Sequence, residues 1–488
     1  MHVLLATSEL NPYSKTGGLA DMVSALAKAL AGPAASGALR ISVVTPLYRG
    51  MTAAHPGIEA TPWRLAVPMG GTLVEGRFHR RDLSPHLTHW FVEQPGFFDR
   101  AGLYGEAGRD YTDNAARFIF LSRAALVLAR HLPDPPRILH GHDWQTGLIP
   151  LLARHDQLQG GWAQPPRMVF TIHNLAFQGS FPASSWGLTG LPADWLHLES
   201  ALHFERVNFL KAGLTQAQAI TTVSPTYARE ILTPEHGCGL EGLLLKRYND
   251  LSGILNGVDT EEWDPATDAM LTARFSAEDL AGKALCKASL QRELGLPEDA
   301  GVPLLANISR LTDQKGSALI TRTLRGLLEA GESFQFALLG SGERALENAF
   351  RDLAKRFPDR VAARIGFDAA LSHRIEAGAD FYLMPSRFEP CGLNQLYSLR
   401  YGAIPVVRAT GGLQDSVVDP RENAARATGI KFTPNTEAAL HKAVLKALAL
   451  WKEPAWLRHI RHNGMTADFS WDRQAAEYVA LYESVCRE

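Results

Sequence analysis

Cysteine is scarce in this chain, and its placement excludes both a disulfide framework and a thiolate metal site. Cys238, Cys286, Cys391 and Cys486 are scattered over 488 residues, without Cys-x-x-Cys or other metal-ligand spacing. Free thiols in a reducing compartment, and so a cytoplasmic protein, are expected. No charge of one sign dominates either. With 49 Lys and Arg against 51 Asp and Glu the net charge is −2, so neither nucleic acid nor an anionic membrane is expected as a main partner. No stretch approaches the roughly 20 apolar residues of a membrane span. The opening run His2–Thr7 has no basic leader or cleavage-type site, and reads as a first buried strand. Neither of the glycine pairs that open a helix, Gly17-Gly18 and Gly411-Gly412, belongs to a dinucleotide fingerprint GxGxxG or a phosphate loop GxxxxGK[ST], which disfavours NAD enzymes and loop-type ATPases.

What is present is a long alternation of buried strands and helix-length segments. The chain is too long for one ordinary core and suggests two large domains. In the first half, apolar runs at His2–Thr7, Arg40–Pro46, Arg137–His142, Met168–Ile172, Ala219–Val223 and Ser252–Leu255 read as strands. From Trp63 to Val92 the pattern alternates instead, which predicts antiparallel strands inserted in that domain. Gln94–Asp113, rich in glycine and polar residues, reads as a lid or as a long loop. A helical, charged passage without buried-strand runs, from about Asp259 to Asp299, precedes a second βα series. Its strands are expected at Pro303–Ile308, Phe334–Leu339, Val361–Ile365, Asp380–Met384 and Ile404–Val407, with a helical tail from Glu437 to Glu488. Such alternation predicts an α/β fold with parallel sheets, right-handed crossovers and helices on both faces.

In open α/β sheets ligands bind beyond the carboxyl ends of the strands, so the loops there carry the chemistry. The loop after the first strand delivers Lys15, Thr16, Gly17 and Gly18 to a helix start, a ready anion site. Asp143, after the Arg137–His142 run, is placed to cap the helix that follows. His173, at a strand end, is placed to touch ligand or to serve as a hydrogen-bonded core residue. Met384–Tyr397 reads as strand, charged loop and helix, with Arg387, Glu389 and Gly392 in the loop. One six-residue echo joins the halves: Thr16-Gly-Gly-Leu-Ala-Asp21 recurs as Thr410-Gly-Gly-Leu-Gln-Asp415, as if two helix starts gripped one anion. Trp144, Trp186, Trp195 and Trp263 are either core residues or platforms for sugar rings.

Taken together, Lys15–Asp21, His142-Asp143-Trp144, Thr171–Asn174, Asn256–Asp259, Ser309-Arg310-Leu311 with Lys315-Gly316, Pro385–Gly392 and Thr410–Leu413 resemble, in order, the bacterial glycogen synthases and plastid starch synthases. The resemblance implies a GT-B glycosyltransferase fold of two Rossmann-like domains facing a cleft. Residues 1–260 would form the acceptor and catalytic domain, 261–465 the nucleotide-sugar domain, and 466–488 a helix crossing back to the first. It further implies transfer of glucose from ADP-glucose to the nonreducing end of an α-1,4-glucan such as glycogen, with retention and with neither metal nor cofactor. Lys15, Gly17, Gly18 and Asp21 would lie against the donor, and Arg310 and Lys315 would hold the diphosphate. Glu389, Cys391, Gly392 and Leu393 would position glucose hydroxyls, and Thr410, Gly411 and Gly412 would add phosphate amides. His173 would meet the glucose near the reacting carbon, with Asp143, Asn174 and Asn256 around the sugar and acceptor.

Three positions depart from the family pattern. Phe367 stands where tyrosine often faces adenine, keeping the ring and losing the hydroxyl. Asp313 replaces a common tryptophan, which puts an acceptor contact there in doubt. Tyr397 stands where many related transferases carry a second glutamate, so no carboxylate partner for Glu389 is evident and transfer on the front face is expected. A UDP-sugar transferase acting on sucrose-type or other small acceptors is the rival reading, and a glucan-binding protein without activity is the rival from another class.

Overall fold

The computed structural model describes residues 1–32, 39–106, 108–162 and 164–487. Contacts divide the chain into two compact units. One comprises Met1–Val223, Ala228–Gly257 and Trp471–Glu488, the other Ser224–Tyr227 and Val258–Ser470.

The first unit is built on a nine-stranded sheet. Its seven parallel strands are, in chain order, His2–Ala6, Arg40–Pro46, Leu87–Glu93, Ile138–His142, Arg167–Ile172, Ala219–Thr222 and Leu251–Gly253. Numbered that way, their spatial order is 3-2-1-4-5-6-7. The strands Glu59–Met69 and Thr72–Ser84 are antiparallel, as their alternation predicts. They lie within the first domain's own sheet: Leu87–Glu93 pairs antiparallel with Thr72–Ser84 and in parallel with Arg40–Pro46, so the hairpin extends the edge of that sheet. The last strand lies one residue earlier than its apolar run, at Leu251–Gly253.

The helix Gly18–Ala31 buries Leu19, Met22, Val23, Leu26 and Leu30 on one face of this sheet. The helix Trp471–Arg487 joins the same core through Trp471, Ala475, Tyr478, Tyr482 and Val485, one stripe at three- and four-residue spacing. A lone 17-residue helix is marginal in water. Each large apolar side chain it buries contributes about 1.5–3 kcal/mol, so docking is what holds it. The expected helical tail is therefore three helices, Glu437–Trp451, Pro454–Thr466 and Trp471–Arg487, broken before Pro454, whose missing N–H suits a first helical turn, and again at 467–470. Glu488, where that tail was expected to end, lies outside the described residues.

The second unit is a six-stranded all-parallel sheet. In chain order its strands are Leu304–Leu311, Gln335–Gly342, Val361–Ile365, Phe381–Met384, Ile404–Arg408 and Ile430–Phe432, in spatial order 3-2-1-4-5-6. One apolar cluster, with Ile320, Leu324, Phe350 and Val444, covers one face. Another, with Leu290, Leu371 and Ile375, covers the other. The passage before this sheet is less helical than its composition predicts: within 259–299 only Ala281–Leu294 is α-helix.

In both sheets the order reverses between strands 1 and 4. Such a switch point leaves a crevice at the carboxyl ends that no crossover helix fills, which is where this class of sheet binds ligands.

Candidate active site

In the first unit the switch point lies between His2–Ala6 and Ile138–His142. The loop after His2–Ala6 places Glu9, 3% exposed, under the start of helix Gly18–Ala31. Its Oε2 accepts from the amides of Thr16 (2.6 Å) and Gly17 (3.3 Å), and its Oε1 from the hydroxyls of Thr16 and Tyr104 (both 2.6 Å). The anion site expected at this helix start is thus partly filled by the protein's own carboxylate, and the Gly17 amide is engaged. Glu9 escaped the sequence reading because a carboxylate in a loop looks ordinary, and Tyr104 lies 95 residues away. The Gln94–Asp113 segment that carries Tyr104 is tied down: Arg100 bonds Asp113 through both its terminal nitrogens, and the Gly102 amide donates to Tyr111. Lys15 reaches Asp21 across the first turn at 2.8 Å, with the lysine 41% exposed.

Asp143 does not cap the helix after it. It has φ 57° and ψ 179°, a backbone region that L-residues avoid at a cost of about 1–3 kcal/mol, and its side chain makes no capping bond. Its carboxylate turns instead to the end of the next strand, where Oδ1 accepts from the His173 amide at 2.7 Å and the Asn174 amide also donates. Burial pushes Asp143 up to about 7, against the pull of those two amides, and nearby Glu9 pushes the same way. Asn174 folds its own Oδ1 onto the Ala176 amide at 3.1 Å. His173 sits at the rim with Nε2 3.1 Å from His142 Nδ1, and burial lowers His173 to about 3, keeping the ring neutral. Asn256, at the far end of the sheet, is 5% exposed.

Because folded Asp143 holds its proton up to about pH 7, whereas an unfolded aspartate releases it near 3.8, stability falls as pH rises between those values. Above pH 7 the penalty is complete. Asp143→Asn keeps the acceptor oxygen and removes the charge. Its stability relative to the native chain is expected to grow from pH 4 to pH 7 by up to roughly 4 kcal/mol and then level off. Urea unfolding of both proteins across that range checks this. A difference that shrinks as pH rises would contradict the buried-carboxyl account.

In the second unit the switch point lies between Leu304–Leu311 and Phe381–Met384. Arg310 stands exposed near the end of the first strand, its guanidinium making no hydrogen bond or ion pair among the described residues. Gly316, at φ 70°, lets the following turn pass the Pro385 carbonyl, where a Cβ would fall 2.4 Å from that oxygen. The turn carries Lys315, whose Nζ donates to both oxygens of Glu389 at 2.9 and 2.7 Å. Glu389 is 4% exposed and also accepts from the Ser386 hydroxyl at 2.9 Å. Arg408 fixes the same loop from below, donating to the carbonyls of Ser386 (2.7 Å) and Arg387. Ser386 and Arg408 are further residues that the sequence reading missed.

Thr410, Gly411 and Gly412 open the short helix Gly411–Ser416, but their first task is packing. A Cβ on Gly411 would fall 1.9 Å from the Glu389 carbonyl, and one on Gly412 2.1 Å from that of Cys391. The Gly412 amide donates to the carbonyls of Glu389 (3.1 Å) and Pro390 (3.2 Å), so it is occupied within the protein. Gln395 ties the carbonyls of Cys391 and Gly392 to Ser416, and Leu393 precedes the helix Asn394–Arg400. The echo between Thr16–Asp21 and Thr410–Asp415 is therefore not a repeat: one follows strand 1 of its sheet and the other strand 5. Phe367 is 83% exposed beyond the Val361–Ile365 strand end.

Asp313 pairs with Arg387 at 3.0 Å on the surface. Tyr397 stacks on Trp263 at 3.9 Å, and Trp263 on His373 at 3.8 Å, so aromatic packing occupies the position where a second carboxylate was sought. The other tryptophans also meet protein: Trp144 meets Phe118, Trp195 meets His155, and Trp186 donates to the Pro192 carbonyl.

Two Rossmann-type units, each with polar groups gathered at its own switch point, define a two-domain glycosyltransferase of the GT-B class. Residues 2–246 match the family model for the starch synthase catalytic domain, and residues 292–460 that for the glycosyl transferases group 1. The chain is 51% identical over 486 residues to a glycogen synthase of Anaeromyxobacter sp. (strain Fw109-5), covering 99% of each, and 46% identical to that of Myxococcus xanthus (strain DK1622), covering 100% of each. Among solved structures, the catalytic domain of starch synthase IV from Arabidopsis thaliana bound to ADP and acarbose superposes with a TM-score of 0.90 at 35% identity, over 100% of this chain and 99% of that one. A sucrose-phosphate synthase from Thermosynechococcus elongatus shares the fold, with a TM-score of 0.62 at 18% identity over 99% of this chain and 98% of that one. The chain belongs to the glycogen synthase and starch synthase family.

Proposed function

We propose that this chain transfers glucose from ADP-glucose to the nonreducing end of an α-1,4-glucan, with retention at the anomeric carbon. The observation that carries the reading is the pair of cations at the second unit's switch point. Arg310 is unpaired among the described residues on the strand end, and Lys315 is held by a buried carboxylate. A departing nucleoside diphosphate gains negative charge as its bond to glucose breaks. Fixed cations there favour the transition state over the bound donor.

In this reading the second unit holds the nucleotide sugar, with the Phe367 ring beside the base and the Cys391-Gly392-Leu393 backbone with Glu389 around the glucose. Thr410 and Gly411 stand next to the phosphates. The first unit sets Lys15, Gly18 and Asp21 against the donor and lines the sugar and acceptor side with Asp143, Asn174 and Asn256, with His173 beside the reacting carbon. Its natural place is the cytoplasm, and no helix of the described residues is long and apolar enough to cross a membrane.

Glu389 is poorly suited to be a nucleophile. Lys315 engages both of its oxygens and Ser386 one of them, so three of its roughly four lone-pair positions are taken. A double-displacement mechanism needs a free carboxylate against the sugar face. Transfer then proceeds on one face: the acceptor hydroxyl attacks as the diphosphate leaves, and the leaving phosphate oxygen takes its proton. With ADP-glucose and a maltooligosaccharide, the product is expected to be one glucose longer, α-linked by proton NMR, with no glucosylated Glu389 in peptides from quenched turnover. A covalent glucosyl-Glu389 would falsify the one-face mechanism.

A further inference from the structure

The geometry points to His142 as the residue that sets the tautomer of His173: His142 donates from Nδ1 to His173 Nε2, which leaves the His173 proton on Nδ1. The 3.1 Å contact between these two nitrogens admits only two arrangements of neutral rings, because one nitrogen must donate and the other accept. Burial lowers both groups, His142 well below the ordinary value, so a doubly protonated ring is not the donor.

The choice between the two arrangements is made at the other end of His142. Its Nε2 is buried and has no hydrogen-bond partner among the described residues. If His173 donated, the His142 proton would have to sit on Nε2, as a buried N–H with nothing to accept it. Orphaned buried N–H groups are the rarer and more costly defect, whereas a bare ring nitrogen there is only an unused acceptor. The proton therefore belongs on His142 Nδ1, facing His173.

The His142 ring is held to this task from behind. His140 packs on it with ring centroids 4.2 Å apart. His140 is itself fixed by the Tyr482 hydroxyl at 2.8 Å on Nδ1 and by the Thr171 hydroxyl at 2.6 Å on Nε2. Thr171 is bonded in turn to Thr221. Tyr482 comes from the C-terminal helix, which gives that helix a role in the site beyond covering the sheet. The result is a His173 ring that is only half-buried and whose Nδ1 has no hydrogen-bond partner among the described residues. That atom presents an N–H, a donor suited to a sugar hydroxyl and unable to act as a base.

The test uses the full chain labelled with 15N-histidine, and long-range proton–nitrogen correlation spectra at neutral pH, with His142→Phe and His173→Asn to assign the two rings. Both His142 and His173 are expected in the Nδ1–H form in the native protein. In His142→Phe, which keeps a ring against His140 and removes the donor, His173 is expected to become a mixture of tautomers. Its kcat is expected to fall about ten-fold, one hydrogen bond's worth, with KM for the donor within about two-fold. His142→Asn sets an amide nitrogen where the imidazole Nδ1 lies, and is expected to restore the single tautomer and kcat to within about three-fold.

An Nε2–H form of His173 in the native spectrum overturns the assignment, and an unchanged kcat in His142→Phe overturns the positioning role. Should His142→Phe fail to fold, the native spectrum and His142→Asn still decide. The kinetic half rests on the glucosyl-transfer reading and the spectral half does not, so a chain inactive on every donor would leave the tautomer assignment standing and fault the activity instead.

Discussion

Lys315→Ala is expected to lower kcat about a thousand-fold while leaving affinity for the glucan within about two-fold, as for the loss of a group that acts on charge developing in the transition state. The same substitution removes the counter-charge of Glu389, a carboxylate that is 4% exposed. Breaking a buried ion pair from one side costs more than the pair contributes, because the remaining charge has no solvent. About 3 kcal/mol of stability is expected to go with it. The two losses separate in the double variant Lys315→Ala/Glu389→Gln, which takes away the orphaned charge. Urea unfolding should show most of the stability restored, while initial rates of ADP release stay near the level of the single variant. If stability and rate recovered together, Lys315 would be a structural partner of Glu389 and nothing more.

The second large effect is expected at Gly411. An alanine there places its Cβ 1.9 Å from the Glu389 carbonyl oxygen, at a backbone φ of 44° that L-residues rarely adopt. That oxygen belongs to the backbone of the loop carrying the Glu389 carboxylate, so the loop must move by about 1 Å or more. A displacement of that size at reacting groups costs on the order of a hundred-fold in rate. Gly411→Ala is therefore expected to lose at least that much activity and to melt several degrees lower. Gly17→Ala is the contrast. Its Cβ would meet nothing within 4 Å and its φ of −161° is ordinary extended backbone, so its melting temperature should match the native chain. Two copies of one Thr-Gly-Gly-Leu motif thus differ in what their glycines are for, and equal melting losses in the two variants would contradict that difference.

The same contrast marks how far residue patterns reach. The strands of the second unit were legible because parallel strands buried on both faces are continuous apolar runs, as at Phe381–Met384. Ile430–Phe432 was not, because three residues make no pattern. The positions of Arg310, Lys315 and Glu389 were legible as charged residues in the loops at strand ends, but the pairing of Lys315 with Glu389 was not, since the two lie 74 residues apart. Asp143 reads as a cap from its position alone. Only the backbone, at φ 57°, shows that its carboxylate faces His173 and not the helix. Glu9, Tyr104 and His142 were not singled out as site residues for one reason: each meets a hydrogen-bond partner distant in the chain, Glu9 and Tyr104 each other and His142 the ring of His173.

The central claim is glucan-dependent transfer of glucose from an ADP-linked donor, and the most direct test is nucleotide release from ADP-glucose and from UDP-glucose, each with and without glycogen. The account predicts ADP release that needs glycogen, and little UDP release under any condition. Glycogen-dependent release from UDP-glucose in preference to ADP-glucose would contradict the donor assignment, and release from neither would contradict transfer itself.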